Sequence, residues 1–152
     1  GTTMPRLRWS MRNDFTLFKN FNISFNMYSY IGHKKTLGRF TNDNALLNVT
    51  NQIKRDYWTP ENRNNEYPRL ANKKPAGVSY AIYKNASFLR FDNISIGYTF
   101  PKKLIEPLRI QNLNVNATMK NAGYISGWPG YDPENSDANT PRVIYFGINL
   151  TL

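Results

Sequence analysis

Residues 93–100 alternate without a break. Ile94, Ile96, Tyr98 and Phe100 carry the bulk, while Asn93, Ser95, Gly97 and Thr99 carry small or polar side chains. Successive side chains of a strand point to opposite faces, so this stretch has one apolar face and one polar face. A helix made of the same residues would scatter the bulk around its circumference. Pro101 ends the run, because proline has no N–H to give to a ladder. Alone, the pattern would also suit a meander strand of a soluble sandwich.

The chain repeats it. Residues 6–18 place Leu7, Trp9, Met11, Phe15 and Leu17 on one parity, and Arg8, Ser10, Arg12, Asp14 and Thr16 on the other. Residues 21–31 oppose Phe21, Ile23, Phe25, Met27 and Ile31 to Asn22, Ser24, Asn26, Tyr28 and Tyr30. Residues 111–120 oppose Leu113, Val115, Ala117 and Met119 to Asn112, Asn114, Asn116 and Thr118. In residues 142–152, Ile144, Phe146, Ile148, Leu150 and Leu152 oppose Tyr145, Gly147, Asn149 and Thr151. The strand around 93–100 begins at residue 87, but Leu89 and Phe91 have the other parity, which predicts a β-bulge near Asp92. Faces rich in Asn, Ser and Thr suit a wet interior better than a dry core. Bulky faces opposite them suit lipid, as in a transmembrane β-barrel. The expected fold is all-β, with about five antiparallel strands.

The connections alternate between short and long. Lys19-Asn20 reads as a tight turn and residues 102–109 as a short basic turn punctuated by Pro107. Residues 32–84 and 121–141 read as long loops, which a barrel carries on one rim and a compact domain rarely has. A short helix over 44–55 would gather Leu46, Leu47, Val49 and Ile53 on one face. The first loop holds ten basic residues against four acidic ones. An odd number of strands cannot close the usual bacterial barrel, and a strand running to Leu152 needs a neighbour for its edge. The opening Gly1-Thr2-Thr3 carries no signal segment. Together these features predict that residues 1–152 are the C-terminal part of a larger barrel.

Composition removes several function classes. There is no cysteine, hence no disulfide framework and no thiol site, and His33 is the single histidine. No apolar run is long enough for a transmembrane helix. Aromatic residues make up 14% of the chain, which suits strands and membrane-interface girdles. The net charge of +10 is dispersed, with no run of five basic residues. That favours solvated loops, or a lumen attracting anionic groups, over a nucleic-acid interface. The acids form no catalytic motif, and Asp132 and Glu134, two apart in a loop, read as solvated. No enzyme, metal or cofactor is expected. Tyr57, Trp58, Trp128 and Tyr131 are the candidate contacts for cargo or partner, because aromatic faces offer apolar area with a polar rim.

SFLRFDNISIGYTFPKKL, then LNV, then KNAGYISGWPGYDPE, then TPRVIYFGINLTL form an ordered set of motifs. With PRLRWSMRNDFTLFKNFNISFNMYSY and YWTPEN…YPRL upstream, they resemble the C-terminus of SusC/RagA-like TonB-dependent transporters of Bacteroidetes over nearly the whole chain. The resemblance implies an outer-membrane barrel of about 22 strands with a plugged lumen. It further implies TonB-energised import of oligosaccharides or oligopeptides with a SusD-like surface lipoprotein. The partners would be the remainder of the barrel, its plug domain, TonB through the absent N-terminal region, and outer-membrane lipid, with no nucleic acid. The alternative from the residues alone is a soluble basic β-sheet module for polysaccharide or nucleic acid. Whether the apolar faces need detergent separates the two.

Overall fold

A computed structural model describes residues 1–37, 56–63, 66, 82–135 and 138–152. The expected helix at 44–55 lies outside the described residues. The strands are β1 (Leu7–Leu17), β2 (Phe21–Ile31), β3 (Lys34–Thr36), β4 (Tyr83–Asn85), β5 (Phe88–Thr99), β6 (Asn112–Ser126) and β7 (Val143–Thr151). A five-stranded antiparallel sheet takes the order β1-β2-β5-β6-β7, and β3 and β4 form a separate two-stranded ribbon. Among the described residues, no helix is long and apolar enough to cross a membrane.

The register joins the alternating faces into two continuous ones. Across the sheet, Phe25 meets Ile94, Ile94 meets Met119, and Met119 meets Ile144. Ile23, Ile96, Ala117 and Phe146 form the next such row. This apolar face is open, with Ile148 71% and Phe146 83% exposed. An exposed apolar surface spanning five strands is far beyond what a monomer leaves in water, so lipid is its natural solvent. On the polar face, small hydroxyls and amides satisfy one another. Ser95 and Thr118 hydroxyls are 2.8 Å apart, Asn114 donates to the Thr99 hydroxyl at 2.9 Å, and Thr16 donates to Asn22 at 3.1 Å. A Cβ on Gly147 would lie 2.7 Å from Asn116 Oδ1, so the glycine makes room for the neighbouring amide.

The bulge expected near Asp92 is present. Asn26 pairs with Asn93 and Met27 with Phe91, leaving Asp92 as the extra residue of β5. The irregularity continues into β6, where Phe91 pairs with Gly123 and Asn93 with Lys120. Asn121 there has a φ of +54°, a left-handed conformation that asparagine tolerates better than most residues. Here the sequence reading needs correction. β6 does not stop at Lys120 but runs through this irregularity to Ser126, so the second loop starts later than residue 121.

Both short connections leave the same end of the sheet. The first is centred on Phe18 and Lys19, one residue earlier than expected, with φ of 49° and 66°. Asn20 N–H donates to Leu17 O at 3.2 Å, and positive φ at both central residues matches the right-handed strand twist. The second, expected as a short basic turn, contains α1 (Lys102–Ile105) and a 3-10 turn over Glu106–Leu108. Buried Ile105 fixes it against the sheet end. At the opposite end, β3 and β4 pair Lys34 with Asn85 and Thr36 with Tyr83, drawing the two ends of the long first connection together. That connection therefore rises from a ribbon stem rather than directly from the sheet.

Candidate functional site

At the stem end, the polar face changes character. Tyr28 pairs with Arg90, and Arg90 with Tyr124; Tyr30 pairs with Phe88. Alternation sends these side chains to the water-facing side, where they form an aromatic cluster. Phe88 lies 5.2 Å from Tyr30 and 5.8 Å from Tyr28, centroid to centroid. The Arg90 guanidinium sits 5.2 Å from the Tyr124 ring centroid and 5.6 Å from that of Phe88. Cation–π contact helps hold a charge that is only 3% exposed.

A buried guanidinium needs hydrogen-bond partners on each edge. Arg90 Nη2 donates to Asp132 Oδ1 and Nη1 to Asn121 Oδ1, both at 2.5 Å. Its Nε lies 3.2 Å from Glu134 Oε2, close enough for charge attraction but without a well-directed hydrogen bond. Left-handed Asn121 thus turns its amide inward to reach Arg90, the re-aiming that a strand irregularity provides. Asn121 Nδ2 also donates to Thr140 O at 2.6 Å.

Asp132 is 1% exposed, so it is not the solvated acid its loop position suggests. Burial pushes its carboxyl up, but hydrogen bonds from Arg90, the Glu134 N–H, the Thr140 hydroxyl and the Asn135 N–H outweigh that and hold it below its ordinary value. Glu134 is tied as well. Tyr28 donates to its Oε2 at 2.6 Å and Lys35 Nζ to its carbonyl at 2.7 Å. One arginine therefore joins β5, β6 and the segment after β6, and Lys35 extends the junction to the ribbon stem. Beside it, Arg8, Trp9, Ser10, Tyr28, Tyr30 and Glu134 line an open recess of about 460 Å³.

The four aromatic candidates have different surroundings. Trp128 is 8% exposed and packs with Leu37, Ala86 and Ile82, joining the segment after β6 to both sides of the stem. Tyr131 is half-buried, and its carbonyl accepts from the Tyr124 hydroxyl. Tyr57 is exposed and Trp58 half-buried, in a described stretch where Thr59 N–H donates to Asn62 O. Trp128 and Tyr131 thus meet the Arg90 junction region, while nothing described joins Tyr57 and Trp58 to it. The sequence reading missed Arg90. Its available signal was a charge at an inward position of a strand whose other inward residues are small or aromatic.

His33 is buried at the stem, where desolvation and the charges of Lys35 and Arg8 hold it below its ordinary value and hence neutral at pH 7. Among the described residues, no group of three acidic or histidine side chains could hold a metal. Among the described residues, this geometry holds loops in place and presents a polar surface.

No family model matches the chain. Over 145 residues it is 26% identical to TonB-dependent receptor P3 of Formosa agariphila, covering 91% of this chain and 14% of that receptor. Over 150 residues it is 32% identical to TonB-dependent receptor SusC of Bacteroides thetaiotaomicron, covering 89% of this chain and 14% of that receptor. In fold it is similar to a chain of the RagAB peptide importer in the open-open state, with a TM-score of 0.69 at 20% identity, covering 99% of this chain and 17% of that one. For the closed-closed state the TM-score is 0.59 at 22% identity, covering 87% and 16%. The chain spans only about one seventh of the two receptors it matches in sequence. With one face built for lipid and one for water, and with these relatives over most of its length, the chain belongs to the SusC/RagA-like TonB-dependent receptors of the outer membrane.

Proposed function

We propose that the chain supplies barrel wall and two extracellular loops to a TonB-energised importer of oligosaccharides or oligopeptides. The observation carrying this reading is the two-faced sheet, whose polar side is capped at one end by latched long connections. Energy for import comes from the inner membrane through TonB, by way of parts of the receptor outside this chain. A SusD-like lipoprotein is the proposed partner at the long-loop rim, since long loops carry recognition more often than the scaffold does. Tyr57 and Trp58 are the proposed contacts there, with Tyr131 beside the Arg90 junction. Trp128 acts in this reading by holding the loops together. A soluble polysaccharide- or nucleic-acid-binding module is disfavoured by the breadth of the exposed apolar face.

The topology is tested by labelling whole cells that carry the full-length receptor. With Glu61→Cys the receptor should react with a membrane-impermeant thiol reagent, and with Lys103→Cys it should react only after the outer membrane is permeabilised. Labelling in the reverse pattern would invert the rims and remove the basis for placing recognition in these loops.

A further inference from the structure

The short-turn rim carries a second surface, apart from the Arg90 junction. Its turns lie side by side, since Thr99 N–H donates to Asn20 O at 2.9 Å and Asn20 Nδ2 donates back to Thr99 O at 2.6 Å. Lys19 stands on one turn, and Lys102, Lys103 and Arg109 on the other. None of the four has an ion-pair partner among the described residues, and Glu106 is the one acid in the two turns. Between these cations, Phe18 is 87%, Leu104 63% and Leu108 67% exposed. Leu104 and Leu108 are four residues apart and stay open while Ile105 between them is buried, so the turn is anchored through one side and shows apolar groups on another.

This pattern continues an aromatic girdle. Phe21 and Tyr98 rings lie 4.7 Å apart, and Tyr98 and Phe100 rings 5.0 Å apart, on the lipid-facing side at the same end. Beyond the apolar strand residues and these aromatic rings, the two turns carry exposed Phe and Leu side by side with cations. Such a surface suits the interfacial zone of a bilayer, and four cations against one acid favour anionic headgroups over neutral ones. A rim that met only water would gain nothing from Phe18, Leu104 and Leu108. We propose that Lys19, Lys102, Lys103 and Arg109 bind the phosphates of anionic phospholipid in the leaflet at this rim, with Phe18, Leu104 and Leu108 seated at the boundary between its headgroups and acyl chains. The surface fixes how deep the turns sit and thereby the height of the wall in the membrane.

The test uses the full-length receptor in discs of phosphatidylethanolamine with or without phosphatidylglycerol, and counts lipids retained after detergent washing by native mass spectrometry. K102Q/K103Q should lower phosphatidylglycerol retention about tenfold or more and flatten its salt dependence. K102R/K103R should keep both. L104N/L108N should lower retention of the two lipids alike and keep the salt dependence. A heat-dependent gel shift confirms that each variant retains its barrel. Unchanged phosphatidylglycerol retention in K102Q/K103Q overturns the proposal. So does binding that moves to lipopolysaccharide, which would place this rim at the other leaflet, or charge-dependent capture of a periplasmic protein with no lipid preference.

Discussion

Replacing Arg90 by methionine should detach residues 127–135 from the sheet while leaving the strand pairs intact. The guanidinium is the common partner of Asp132, Asn121 and Glu134, and both Arg90 and Asp132 are almost wholly buried. Removing one member of a buried pair leaves an uncompensated charge and costs about 3–5 kcal/mol. Asp132 escapes that cost by swinging out to water, and the segment goes with it. Strand pairing is insulated because Tyr28, Phe88 and Tyr124 belong to strands of eleven residues or more, whose pairing continues away from the junction. Hydrogen exchange in lipid discs should accelerate at residues 127–135 and remain slow in β5 and β6. Lysine at position 90 should give an intermediate result, keeping the charge but losing the fork that reaches two partners. Unchanged exchange at 127–135 in the methionine variant would refute the latch.

Acid should act through the same junction. The folded-state carboxyl of Asp132 lies below its ordinary value, so its contribution is complete above the unfolded pKa of about 3.9 and is lost as pH falls through the folded one. Docking of 127–135 should therefore be flat across neutral pH and weaken only below about 4.

How much of this was legible follows from what each element depends on. The strands were, because a period of two with bulk on one side has a single structural reading. Even the slip at Asp92 could be counted from Phe91 and Ile94. The end of β6 was not, because Asn121 breaks the pattern by a left-handed twist that no parity rule contains. Arg90 and Asp132 were hidden for another reason. They are 42 residues apart, and an acid in a Pro- and Gly-rich loop looks solvated until the loop is known to fold back. Trp128 was noticed for its aromatic surface, but its neighbours Leu37 and Ala86 come from the two ends of the long first connection, a pairing that only tertiary structure supplies.

Arginine at position 148 or 94 should cost about 2–4 kcal/mol in bilayer assembly if the residue lies near the membrane midplane, falling toward about 0–1 near an interface. Ile148 sits inside β7 opposite Val115, and Ile94 sits inside β5 between Phe25 and Met119. Both belong to the continuous apolar face, so a guanidinium there meets hydrocarbon with no partner in reach. Asn114→Arg enters the other face, beside Asn149 and Thr99. It forfeits the hydrogen bond to the Thr99 hydroxyl, worth about 0.5–1.5 kcal/mol, but its charge stays in water. Unfolding of the full-length receptor in denaturant, measured in lipid vesicles, should rank Ile148→Arg and Ile94→Arg well below Asn114→Arg and the wild type. If Asn114→Arg were the most damaging of the three, the sheet would be facing the opposite way, with its apolar side packed inward against protein.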